Sequence, residues 1–266
     1  MRKFNWKNPT DKECIAMTTE AELNTVKDKI DEKAHPWRVC PLGQHFVRAH
    51  SEHIPPSKKH PQGDVVIRNA HCAHNPSHKD LLSFDEIHVI SNNYFETLSG
   101  RPTAGILTKF HKADDYDLLI RGWVHYWNEV FDFEDPLNPN LIKALMATES
   151  SFEEQAVSPN HKNRARGLLQ ITEETLHILN DHKGELSNHL MFIRAKDLFD
   201  PSVNICSGVR WLFRKQITAS SRLKRKATWE EAIIEYKAYW KIIDAGQIPK
   251  AIVELREYYK QLEEEK

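Results

Sequence analysis

The chain has 266 residues, 40% of them hydrophobic and 28% charged, which is enough for one generous domain or two small ones and excludes a mostly disordered chain. Its 37 basic and 38 acidic side chains leave a net charge of -1, which excludes a globally basic nucleic-acid binder. No apolar run approaches the roughly 20 residues of a membrane span, and the basic start, Met1-Arg2-Lys3, lacks the apolar stretch of a secretory signal peptide.

The first predicted element is a helix after the capping box Thr19-Glu20-Ala21-Glu22. It places Leu23, Val26 and Ile30 on one face and ends at His35-Pro36. From Trp37 to about Ile90 the character changes. Pro41, Pro55, Pro56, Pro61 and Pro76 break any long helix. Phe46-Val47 and Val65-Val66-Ile67 read as short strands, the second preceded by the turn Pro61-Gln62-Gly63-Asp64. A loose boundary is expected between Ser91 and Thr103, where Asn92-Asn93, Ser99-Gly100 and Pro102 cluster.

Beyond that boundary the pattern is helical. Leu119, Trp123, Tyr126, Trp127 and Val130 form a stripe between Asp114 and Asp132. Asn138-Pro139 and Asp200-Pro201 each pair an N-cap with a proline at the first helical position. Thr228-Trp229-Glu230-Glu231 is a capping box before another helix. The charged segment after Pro249 is expected to fray. The expectation is a mainly α chain in two parts. Residues 1–102 form a small irregular His/Cys-rich module with short strands, and residues 103–266 form a helical domain.

Nine of the 15 histidines fall between His35 and His88, around Cys40 and Cys72. Cys40-Pro41-Leu42-Gly43 has the proline and glycine of a knuckle-like turn. Thiolate sulfur and imidazole nitrogen suit tetrahedral zinc, and a metal would help a module short of apolar residues to fold. Cys40, His50 and Cys72 are therefore the candidate ligands of a structural zinc. Two other readings stand beside it. One is two buried free thiols with surface histidines. The other is a Cys–His pair of an amidase that cuts peptide stems, with Cys40 or Cys72 as nucleophile. No H-E-x-x-H is present, so a metal peptidase is not expected. The four cysteines, Cys14, Cys40, Cys72 and Cys206, are too dispersed to suggest a disulfide-stapled scaffold. Cys206, between Ile205 and Val209, reads as a small core residue.

The helix after Pro139 ends in a carboxylate. Ile142, Leu145 and Glu149 lie on one stripe, so Glu149 continues the apolar face. A carboxyl held against apolar neighbours has a raised pKa, as a general acid near neutral pH requires. The alternative is a helix-end glutamate that turns to solvent.

Glu149-Ser150-Ser151-Phe152 is followed by Ala156-Val157-Ser158-Pro159, then by Ala165-Arg166-Gly167-Leu168-Leu169-Gln170. Asp200-Pro201-Ser202-Val203-Asn204-Ile205, Gly208 and Trp211-Leu212 come next. This ordered series, from about Asn140 to Trp240, resembles the soluble lytic transglycosylase family, whose fold is lysozyme-like. The family pattern is E-S-x-F, then A-x-S-x-x-G-A-x-G-L-M-Q, then D-P-x-x-N-I-x-x-G-x-x-Y-L. The resemblance implies cleavage of the β-1,4 bond between N-acetylmuramic acid and N-acetylglucosamine in peptidoglycan glycan strands. It implies Glu149 as the sole acid/base, formation of a 1,6-anhydro end, and no cofactor for catalysis. It also implies that Ser150, Gly167, Gln170 and Tyr236 line the substrate groove, and that Asn204 and Gly208 are structural.

The sequence departs from the family in two places. The later A-Y-N-x-G motif keeps only Tyr236, with Lys237 in place of the asparagine and no glycine. The second motif is lengthened by the basic stretch Pro159-Asn160-His161-Lys162-Asn163-Arg164, which is either a rim for anionic peptidoglycan or a solvated loop. Rival readings are a lysozyme-type muramidase that uses water and a non-catalytic glycan-binding protein on the same fold. The expected place of action is the periplasm or cell wall. Without a visible signal peptide, delivery by a secretion machine, a phage particle or lysis is expected; any immunity partner is unknown. No nucleic acid and no membrane span are expected.

Overall fold

The structure is a computed structural model that describes residues 37–75 and 79–264. The helix expected after Thr19, and Cys14, lie outside these residues. The described chain opens with two antiparallel ribbons. Strand β1 (Gln44–Val47) pairs with β4 (His71–His74), and β2 (His50–Ile54) pairs with β3 (Asp64–Arg68). Phe46 lies opposite Cys72 in the first ribbon and packs in a small buried cluster with Val39, Cys40 and Val89. The second ribbon is almost wholly exposed, with Val65 and Ile67 bare on one side.

The expected zinc ligands are arranged differently from the sequence reading. Cys40 and Cys72 are bonded to each other in a disulfide, so neither offers a thiolate to a metal. His50 lies on the other ribbon, where its Nδ1 is 3.0 Å from the Arg48 carbonyl. Among the described residues no group of three or more His, Cys, Asp or Glu is placed to hold a metal ion. The disulfide links the turn before β1 to β4. This staple replaces both the zinc set and the free-thiol and nucleophile readings of these cysteines.

Strand β5 (Asp80–Ser83) runs parallel to β8 (His189–Phe192). This pairing ties the N-terminal segment to the helical part. Helix α1 (Phe84–Tyr94) begins directly after β5, and Ser83 Oγ accepts from the Glu86 amide as its N-cap. Helix α1 takes in Ser91 to Tyr94, the first residues of the segment where a loose boundary is expected. Trp37, Leu82, Ile87, Ile90 and Phe95 share one continuous core with Trp123, Trp127, Ile142, Leu145 and Phe213. Packing thus does not divide at residue 102. Buried Arg38 locks the junction by pairing with Asp80 and Glu86 and donating to the Leu81 carbonyl. Burial opposes the charge on Asp80, but Arg38 and His189 outweigh it and hold its pKa at about 2.

Helices α2 (Asp117–Phe131) and α3 (Pro139–Glu149) match the predicted stripe and N-cap. After two short strands, β6 (Ala165–Arg166) and β7 (Ile171–Thr172), come α4 (Glu173–Asn180), β8 and the long α5 (Pro201–Leu223). Asp200 caps α5 by accepting from the Val203 amide, and Thr228 with Glu231 forms the predicted capping box of α6 (Trp229–Tyr236). Two more helices, α7 (Trp240–Asp244) and α8 (Lys250–Glu264), complete the mainly α architecture. Among the described residues the C-terminal segment is helical to Glu264 and does not fray. Ile252, Leu255 and Leu262 of α8 are buried, and Asn140 of α3 donates to the Leu262 carbonyl at 2.9 Å. Cys206 is a free, buried core residue, as its sequence neighbours suggest.

Candidate active site

The site is built on α3. Asn138 caps it by accepting from the Asn140 amide, and Pro139 needs no partner at the first position. Every residue from Leu141 to Ala147 is buried. One of them is Lys143, whose ammonium lies 2.8 Å from Asp114 and 2.6 Å from Asp117. Ile142 and Leu145 are fully buried, and the side chain of Glu149 keeps only 14% of its exposure. Glu149 therefore stays on the buried face and does not turn to solvent.

The turn after Glu149 holds it there. Ser150 ends the helix, with its amide donating to the Met146 carbonyl and its hydroxyl 3.5 Å from the same oxygen. Ser151 and Phe152 both adopt left-handed backbone, φ 53° and 64°. Such conformations cost about 1–2 kcal/mol each in residues with a side chain. They reverse the chain so that Phe152 returns to the core, stacked on Tyr116 and edge-on to Phe110. The phenylalanine of the E-S-x-F motif is thus an anchor for the turn behind the acid.

The segment from Ala156 to Gln170 forms a braced loop. Gly167 donates to the Ala156 carbonyl at 2.9 Å, and the Gln170 side-chain amide donates to Gly167 and Ala156 carbonyls. Gly167 has φ 74°, and a Cβ there would lie 2.2 Å from Asn204 Nδ2 and 2.3 Å from the Leu198 carbonyl. Only glycine fits this approach. Asn204 of α5 accepts from the Leu169 amide at 2.7 Å and donates to the Arg166 and Leu198 carbonyls. Gly208, one turn further along α5, lets Leu169 pack flat against the helix. Asn204 and Gly208 are the loop's foundation.

The far side of the loop meets α6. Tyr236 donates its hydroxyl to the Leu169 carbonyl at 2.5 Å. Lys237, the next residue, places its Nζ 2.7 Å from Glu149 Oε1, with 6% exposure of its own side chain. The helix end that carries it is closed by Lys237 donating to Ile233 and Tyr239 donating to Ile234, with Ala238 left-handed at φ 54°.

Burial pushes the Glu149 carboxyl up from its ordinary value, while the Lys237 charge and hydrogen bond pull it down; burial wins. Burial and the Glu149 charge push the Tyr236 and Tyr239 phenols up, so both are neutral hydrogen-bonding groups at neutral pH. Glu149, Tyr236 and Lys237 are brought together. Gly167 and Gln170 are joined to them through the Leu169 carbonyl, and Ser150 caps the acid's own helix. Lys237 is the charged neighbour of Glu149 that sequence reasoning missed. Its only signal was a lysine where the family pattern has asparagine.

The mainly α architecture, with a buried acid ending one helix and a braced loop on a longer one, is lysozyme-like. Residues 134–238 match the model of the family described as Transglycosylase SLT domain, which belongs to the lysozyme-like superfamily. The match supports a lytic transglycosylase-type, peptidoglycan-cleaving function in general, consistent with action at the cell wall. No solved structure matches the chain. Among the described residues no helix is long and apolar enough to cross a membrane.

Proposed function

We propose that the chain cleaves the β-1,4 bond between N-acetylmuramic acid and N-acetylglucosamine, with Glu149 as the single acid/base and a 1,6-anhydro end as product. The observation that carries this reading is the placement of Glu149: largely buried, at the end of an apolar helix, inside the family-matched stretch. Protonated Glu149 gives its proton to the glycosidic oxygen as the C1–O bond breaks. The neighbouring N-acetyl carbonyl oxygen bonds to C1 and holds the positive charge. Glu149, now a carboxylate, takes the proton of the muramyl 6-hydroxyl, whose oxygen displaces the acetamido oxygen at C1. The acid is regenerated and no water is consumed. This route departs from the two-carboxylate scheme of most glycosidases.

Tyr236 and the loop from Gly167 to Gln170 form one wall of the proposed glycan groove, with Ser150 beside the acid. The chemistry draws only on Glu149 and the substrate, so a chelator leaves activity unchanged. The Cys40–Cys72 disulfide fits work in an oxidising compartment outside the cytosol. The test is digestion of purified sacculi followed by mass measurement of the muropeptides and borohydride treatment. Anhydro ends that resist reduction support the proposal. Hydrated, reducible ends would assign a water-using muramidase, and intact sacculi would assign a non-catalytic binder.

A further inference from the structure

The geometry around Glu149 contains a charge that the proposed reaction does not call for. Protonating a glycosidic oxygen requires a neutral carboxylic acid, and a cation 2.7 Å away favours the carboxylate. Lys237 is not there by surface accident. Its side chain is 6% exposed, and the helix end that carries it is fixed by contacts on three sides. Lys237 and Tyr239 donate back to Ile233 and Ile234, Tyr236 is tied to the Leu169 carbonyl, and Glu235 pairs with Lys215 of α5 at 3.7 Å. The ammonium is therefore held over the carboxylate by the same elements that build the groove wall.

We propose, resting on the reading of Glu149 as the acid, that Lys237 is a positioning residue that fixes the Glu149 carboxylate and sets the upper end of the pH range over which that group carries the catalytic proton. Glu149 alternates between acid and carboxylate in one turnover. The ammonium stabilises the carboxylate left after proton donation, and so strengthens Glu149 as an acid. The same contact lowers the fraction of enzyme that starts the cycle protonated. Among the described residues Lys237 is the charged group that acts on Glu149. Tyr236 and Tyr239 face it as neutral phenols and feel its charge in turn.

The family pattern has asparagine at this position, and asparagine has no charge to impose. The lysine thus distinguishes this chain by its working pH range, while the identity of the acid stays the same.

The experiment compares the wild type with Lys237→Met, which keeps the stem and removes the charge, and Lys237→Arg, which keeps the charge. kcat/KM on solubilised glycan strands is measured against pH, and the Glu149 carboxyl is titrated directly by carbon-13 NMR in each protein without substrate. Lys237→Met should move both the alkaline limb and the Glu149 titration upward by about one to three pH units, the range an adjacent opposite charge produces. Lys237→Arg should restore both toward wild type. A Glu149 titration unmoved in folded Lys237→Met would overturn the proposal. So would loss of activity at every pH in a folded Lys237→Met protein, because that would place the lysine in the chemistry itself. The titration reads Lys237 even if Glu149 is not the acid; that separate failure appears as full activity in Glu149→Gln.

Discussion

Helix α3 carries two buried lysine–carboxylate contacts, and they differ in kind. Near its start, Lys143 is wholly enclosed and meets two carboxylates from the adjoining turn and helix, Asp114 and Asp117. Burial pushes Asp117 up against the pull of Lys143, while Lys143 and the Gly105 amide overcome burial at Asp114 and hold it low. At the other end Glu149 has one cation, Lys237, and keeps some access to solvent. The first contact joins α3 to the chain just before and within α2. The second joins the end of α3 to the end of α6. An enclosed cation with two partners fixes structure; a carboxyl with one removable partner, next to strained turns, suits the proton exchange proposed for Glu149.

Breaking the first contact should show as stability. Lys143→Met strands the buried Asp117 carboxylate against an apolar helix, while the exposed Asp114 turns to solvent, and should cost about 3–5 kcal/mol, the range for removing one partner of a buried pair. Chemical denaturation gives the value, and turnover per folded molecule should stay near wild type. A variant as stable as wild type would remove the distinction between the two ends of α3.

The N-terminal ribbon offers a contrast outside the helix. Cys40 and Cys72 lie 32 residues apart, and loss of such a cross-link costs about 3–4 kcal/mol in the chain-entropy account. The double variant Cys40→Ser, Cys72→Ser should lose this from the ribbon while the Glu149 end keeps its chemistry. Zinc added to the reduced wild type should not restore the lost stability. Full recovery with stoichiometric zinc would revive the metal reading.

The smallest effect belongs to the turn behind Lys237. Ala238 is left-handed, and Ala238→Gly should stabilise the chain by up to about 1 kcal/mol by removing the Cβ penalty. A melting temperature that falls would show that the alanine methyl packs usefully and that the turn is not strained.

These contrasts bear on what was legible in the sequence. The caps at Asn138, Asp200 and Thr228 were readable because a cap is a local bond between a side chain and the next turn's amides. Glu149 was readable from its stripe and from the motif beside it. Pairings between distant segments were not. The match of β5 with β8, and the register that sets Phe46 opposite Cys72, are fixed by the folded sheet. The buried stripe of α8 is interrupted by exposed charge and becomes a face only against α3. Gly167 was placed at the groove by the resemblance alone, and its close partner, Asn204, was not legible. Lys237 was visible only as a departure, since nothing in the chain order places it on Glu149.

The most direct test of Glu149 as the acid is Glu149→Gln, assayed on sacculi by mass spectrometry beside the wild type at matched folded concentration. The amide keeps the size of the side chain and an oxygen for Lys237 but holds no acidic proton. Cleavage should fall by at least about 100-fold, the lower end of what a positioned acid/base contributes, with the melting curve still cooperative. Anhydro-muropeptides released by this variant at the wild-type rate would contradict the assignment of Glu149 and require another acid in the same groove.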